Sequence, residues 1–262
     1  MRITIEHTTR YVYEAPVRYS TQYLRLVPSS NSRQRVLEWT LDAPATPIEL
    51  RDGYGNILHV LTIIKPVTEI VIRSGGTVET LPGIDDAPDD VKLSPLIFLR
   101  PTPLTRAEGA LAQFAEHYRR RGATLTGLRD LARGVLERVR FESGITAVSS
   151  TALEAYEHGK GVCQDHAHVF IACCRYLGIP ARYVSGYLYL PDQDEPVASH
   201  AWAESWVVDR WRSFDITNGA PAGEHHIRVA IGADYLDASP VRGVRRGGGH
   251  EQMVAHAVVA AQ

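Results

Sequence analysis

The sequence predicts an α+β protein: a β-rich, sandwich-like N-terminal domain, then a core in which a cysteine-bearing helix packs on an antiparallel sheet. Three observations carry that prediction. Short apolar runs rich in β-branched and aromatic residues, separated by Pro, Gly and Asn, fill roughly the first 80 residues. Apolar spacing then turns helical over Arg106–Tyr118, Thr126–Val139 and Val162–Leu177. After Ala181 the chain returns to two-residue alternation.

The early strands are Arg2–Thr8, Arg10–Tyr13, Thr21–Val27, Val36–Leu41, Ile57–Lys65 and Thr68–Arg73, broken at Pro16, Pro28–Ser32, Pro44 to Pro47 and Asp52–Asn56. Short strands at this spacing suggest an antiparallel sandwich or barrel. Residues 1–80 are assigned to this domain, which is expected to complete the fold rather than recognise substrate. The Pro- and Asp-rich stretch 81–104 reads as a linker, and 105–262 as the core. Late strands are expected at Ala181–Leu190, Ala198–Val208, Trp211–Ile216 and within Gln252–Val259.

The third helix carries the most information. It follows Gly159-Lys160-Gly161 and stops at Gly178-Ile179-Pro180, a glycine C-terminal cap followed by proline. Ala167, Phe170, Ile171, Cys174 and Leu177 share one face, so the helix is buried and Cys163 lies in its first turn. There the positive end of the helix dipole favours a thiolate, and unpaired N–H groups can stabilise an oxyanion. Cys173 and Cys174 lack that setting and read as core residues.

A thiol nucleophile needs a base and a group to orient it. His200 lies on an alternating strand with Trp202, Glu204 and Trp206 on the same face, and Asp215 ends the following strand. In an antiparallel hairpin any loop with an even number of residues puts His200 and Asp215 on one face. A two-residue turn at Asp209-Arg210 sets Asp215 opposite Glu204. A four-residue loop over Val207–Arg210 sets it opposite Trp202, diagonal to His200 and about 7–8 Å away between Cα atoms. Glu204 is a rival orienting group. Trp202 either walls the cleft or packs the sheet.

Other readings are weaker. Cys163, Asp165, His166 and His168 do not converge on a helix, so no metal site is expected. His225-His226 reads as a loop pair without a role. The acidic run Asp192–Glu195 lacks a calcium-loop register. A catalytically silent binding module and acyl transfer from a thioester donor are the functional rivals.

The blocks Gly161–Ala167, Leu177–Tyr187, His200-Ala201-Trp202 and Phe214–Gly219 resemble the transglutaminase-like superfamily, in particular its bacterial branch with a β-rich N-terminal region. That resemblance implies a papain-like core, with Cys163 as nucleophile, His200 as general base and acid, and Asp215 as orienting carboxylate. It implies a cysteine hydrolase of peptide or side-chain amide bonds that works through a thioacyl-enzyme, or a transamidase where an amine replaces water. One departure is Asp215-Ile216-Thr217, where the family often has Asp-Pro-Thr. The carboxylate is retained.

Composition narrows the partners. The chain has 262 residues, 44% of them hydrophobic, and a formal net charge of −2, a balance that suits a packed domain and offers nothing to nucleic acid. No cofactor is expected. The N-terminus has no signal-peptide core, and Met253–Ala261 is too short to span a membrane. Three cysteines make a poor disulfide framework, so all are expected as free thiols in a reducing, cytoplasmic setting without a membrane partner. The expected partner is a peptide or protein amide substrate.

Overall fold

The computed structural model describes residues 1–81, 92–191 and 199–261. Residues 82–91 of the expected linker and the whole acidic run Asp192–Glu195 lie outside these residues. The chain begins with five strands: β1 (Arg2–Leu24), β2 (Gln34–Asp42), β3 (Ile48–Arg51), β4 (Ile57–Ile63) and β5 (Val67–Thr80). Then come α1 (Gly109–Glu116), α2 (Leu125–Arg138), β6 (Arg140–Phe141), α3 (Ala152–His158), β7 (Lys160–Gly161) and α4 (Cys163–Tyr176). The last part holds β8 (Ala181–Leu188), β9 (His200–Val207), β10 (Arg210–Phe214), β11 (His226–Gly232), α5 (Tyr235–Ala238), β12 (Val241–Gly247) and β13 (Glu251–Ala261). The α+β class is as the sequence predicts.

The first sheet is curled and antiparallel, in the order β2-β5-β1-β4-β3, with β12 and β13 also paired to β1. Its spine is β1, 23 residues long. The three runs expected as separate strands through Leu24 are one strand. Pro16 does not end it, because it falls inside a register shift between Val12 and Val17, where no ladder bond to β5 is required of it. The two halves of β1 take different partners: Ile3–Tyr13 pairs with β13, and Val17–Leu24 with β12. The chain's end therefore returns to its beginning; β13 adds to the first sheet and not to the core sheet.

The core sheet has the order β10-β9-β8-β11, and α4 packs across it. Phe170, Ile171 and Cys174 of α4 are in one apolar cluster with Ala181, Ala203 and Phe214 of the sheet, and with Leu111, Leu128 and Leu131 of the other helices. The helix is buried on its polar side too. There Arg175 donates to the carbonyls of Phe98, Ala181 and Ala233 and to Thr105 Oγ1, which satisfies a charge that burial would otherwise penalise. Gly178, at φ +79°, closes the helix in the left-handed region, as its sequence signal requires.

The two sheets share a core of Ile3, Ile5 and Val78 with Tyr187, Ile227 and Val229. Side-chain amides lock them. Gln34 exchanges hydrogen bonds with the Arg228 backbone at 2.8 and 2.9 Å, and Asn56 does the same with the Ile231 backbone at 2.8 and 2.9 Å.

Candidate active site

Cys163 is the first residue of α4, and its thiol is half-buried. The turn ahead of it is fixed by Asp165, whose Oδ2 accepts from the Val162 N–H at 2.8 Å and from the Thr146 hydroxyl at 2.7 Å. Gly161 is needed for that cap: a Cβ there would meet the Asp165 carboxylate at 2.6 Å. A carboxylate in the first turn also suits the helix dipole.

His200 opens β9 and is buried. Its Nε2 lies 2.8 Å from Asp215 Oδ2, and Cys163 lines the same cavity as His200, near enough to help raise its pKa. The three sequence-predicted residues are thus brought together, with His200 in the middle. Their spacing follows from the hairpin. Arg210 pairs with Val207, and the turn is Val208-Asp209, with both φ positive at 48° and 64°. That turn is one residue earlier than the two-residue turn considered from sequence. The ladder, continued by one pair, puts Asp215 opposite Trp202 and diagonal to His200.

Asp215 has four polar contacts on its carboxylate. Oδ2 takes His200 Nε2, Asn218 Nδ2 at 2.7 Å and His226 Nε2 at 2.9 Å, and Oδ1 takes the Asn218 N–H at 3.2 Å. Burial alone would raise its pKa, but the bonds from His200, His226 and Asn218 and the His200 charge outweigh it and hold the carboxyl below its ordinary range. For His200 burial pulls the pKa down, while Asp215 and Cys163, by hydrogen bond and charge, lift it to about 10. At neutral pH the ring is therefore held as imidazolium against the Asp215 carboxylate.

His226 was not foreseen as a site residue; it opens β11, a strand absent from the sequence expectation. A signal was present, since Ile227, Val229 and Ile231 alternate with His226, Arg228 and Ala230. Its Nδ1 accepts from the Gly223 N–H at 3.1 Å, so its proton is on Nε2 and is donated to Asp215. His200, Asp215 and His226 have the residue types and proximity of a metal site. The fixed Nε2 proton makes His226 a donor to the carboxylate instead of a ligand.

The remaining candidates have other partners. Glu204 is gripped by Arg182 at 2.7 Å and Arg33 at 2.8 Å and is not near enough to orient His200. Trp202 stacks on His200 with centroids 6.1 Å apart, on the sheet side. His166 joins Thr217 Oγ1 at 2.9 Å and donates to the Val139 carbonyl at 2.8 Å, which ties the cysteine helix to the turn after Asp215. His168 accepts from the Tyr235 N–H at 3.1 Å, and burial pushes its pKa to about 3. These two histidines do not converge on a shared ligand position.

Cys163 and His200 open onto a cavity of about 700 Å³, bounded by the core on one side and by β1, β12 and β13 on the other. No helix among the described residues is long and apolar enough to cross a membrane.

A half-buried helix-start cysteine facing a strand histidine and a hairpin aspartate defines a papain-like α+β protein. The chain belongs to the transglutaminase-like superfamily, whose core model matches residues 112–216, and the model of the bacterial transglutaminase-like N-terminal region matches residues 3–79. An uncharacterized protein of Mycobacterium leprae is 33% identical over 273 residues, covering 95% of this chain and 94% of that one. A Mycobacterium tuberculosis protein, also uncharacterized, is 31% identical over 275 residues, with 93% and 87% covered. A solved structure of a candidate cysteine protease from Cytophaga hutchinsonii superposes with a TM-score of 0.77 over 99% of this chain and 90% of its own. At 22% identity that likeness shows the fold alone.

Proposed function

We propose that the protein is a cysteine hydrolase that cleaves peptide or side-chain amide bonds through a thioacyl-enzyme. The observation that supports this best is the position of His200, bonded to Asp215 through Nε2 and lining one cavity with the helix-start Cys163. The Cys163 thiolate attacks the amide carbonyl, and the oxyanion is met by N–H groups at the start of α4. His200 gives its proton to the leaving amine, and a thioester to Cys163 remains. Water, deprotonated by His200, then releases the acid and regenerates the thiolate. Asp215 keeps the ring oriented and stabilises its charge. A primary amine in place of water would give transamidation from the same intermediate. The three unpaired cysteines support a reducing, cytoplasmic setting as part of the proposal.

The test is turnover of a peptide-amide library, with products identified by mass spectrometry with and without an added primary amine. Loss of turnover in Cys163→Ala, and a fall of about 10²–10⁴-fold in His200→Ala, is the expected result for a general base. Unchanged turnover in Cys163→Ala would refute the reading.

A further inference from the structure

We infer that the cavity beside Cys163 is an acyl-binding site for neutral, bulky, apolar groups, and that the N-terminal sheet supplies the wall that selects them. The inference rests on the thiol chemistry proposed above and adds its substrate class.

Three observations meet here. The first is the wall itself. Odd-numbered residues of β1 face the core, from Ile3 and Ile5 to His7, Thr9 and Tyr11, and β13 pairs Thr9 with Ala255 and Tyr11 with Met253. Thr9, Tyr11, Met253 and Ala255 all line the cavity that holds Cys163 and His200. The two sheets therefore form one site, and the first sheet does more than complete the fold.

The second is charge. Among the described residues no lining side chain is Asp, Glu, Lys or Arg. His7 has both ring nitrogens occupied, by Tyr187 at 2.8 Å and Thr9 at 2.9 Å, and burial lowers its pKa to about 4, so it adds no charge at neutral pH. Apart from the His200 imidazolium, which Asp215 already pairs, a charged substituent entering this space would lose water and gain no partner.

The third is size and surface. A cavity of about 700 Å³ accepts an aromatic or long aliphatic group, within the usual range for small-molecule sites. Phe141 and Met253, lining residues at 58% and 55% exposure, leave apolar surface open to an incoming group.

The test is alkylation of Cys163 by iodoacetamide, its N-benzyl derivative, and N-benzyl derivatives bearing a para carboxylate or a para aminomethyl group. In each the thiolate displaces iodide, and every rate is divided by that of free cysteine. The expected result is a gain of about tenfold or more for N-benzyl over iodoacetamide, with both charged derivatives near or below iodoacetamide. Ala255→Glu should erase the benzyl gain and favour the cationic derivative over the anionic one. Should that variant not fold, Met253→Glu, on an exposed position, makes the same test. Equal relative rates for all four probes, or a preference for a charged one, would overturn the inference while leaving the thiol reading standing. Iodoacetamide reacting no faster than with free cysteine, with no dependence on His200, would instead overturn the thiol reading and this inference with it.

Discussion

His226 donates its Nε2 proton to Asp215 Oδ2 at 2.9 Å, the same oxygen that holds His200. The bond is preset, because the Gly223 N–H occupies the other ring nitrogen at 3.1 Å. His226 thus keeps Asp215 ionised and aimed without touching the thiol. Losing one hydrogen bond to a buried charged group costs about 1.5–3 kcal/mol. His226→Ala should therefore raise the pKa of Asp215, and the acid limb of the Cys163 alkylation profile should move to higher pH. His226→Gln, which keeps an amide N–H at similar reach, should restore much of the original profile. A purely structural role would lower the yield of folded protein in both variants and leave the limb unmoved.

The His200–Asp215 pair also makes stability depend on pH. The pKa of His200 is lifted from 6.5 to about 10, so its stabilising contribution is complete below 6.5 and is lost as pH rises through about 10. Asp215 is shifted the other way, from 3.8 downwards, so its contribution is present above 3.8 and is lost as pH falls below that value. Thermal unfolding of the wild type and His200→Gln at pH 6, 8 and 10 should give a gap in Tm that narrows toward pH 10. A gap that widens with pH would contradict the pairing.

One thiol in three should react in the native protein. Cys173 and Cys174 are buried, and burial pushes the Cys174 thiol up to about 12 and Cys173 well above its ordinary range. Peptide mapping after brief iodoacetamide treatment should find modification at Cys163 alone, and at all three cysteines only in denaturant. His200→Ala should slow the Cys163 reaction and leave the other two protected. Modification of Cys173 without unfolding would mean that the helix core opens.

What was legible in the sequence followed periodicity and chain-local signals. The α4 helix announced itself through its glycine turn, its apolar face and its Gly178-Ile179-Pro180 stop. The parity of the β9–β10 hairpin, read from residue numbers, left few options for where Asp215 could fall. Three features were not legible. The union of the early runs into β1 depends on partners far along the chain, β5, β12 and β13, which carry the strand past Pro16. The pairing of β13 with β1 joins residues some 250 apart in the chain, and no local pattern encodes such a contact. The strand of His226 could be read from its alternation, but the role of His226 could not, because it lies in the Gly223 turn and the Asp215 oxygen, both set by the fold around it.

Glu204 shares the His200 strand and was a plausible orienting carboxylate, but its surroundings assign it a different task. It is buried between Arg182, bonded at 2.7 Å, and Arg33, bonded at 2.8 Å, which reaches over from the segment before β2. Burial opposes its ionisation, yet Arg182 and Arg33 overcome that and hold its pKa near 2. The trio joins the core sheet to the N-terminal sheet by charge. Glu204→Gln leaves two arginines in a low-dielectric site with no anion between them, and breaking one side of such a buried group costs about 3–5 kcal/mol. The expected outcome is a clear loss of stability by denaturant titration, with the Cys163 alkylation rate per folded molecule and its pH profile unchanged. An altered profile at full stability would return Glu204 to the site. The expected result separates the group that holds the two sheets together from Asp215, which holds the His200 imidazole.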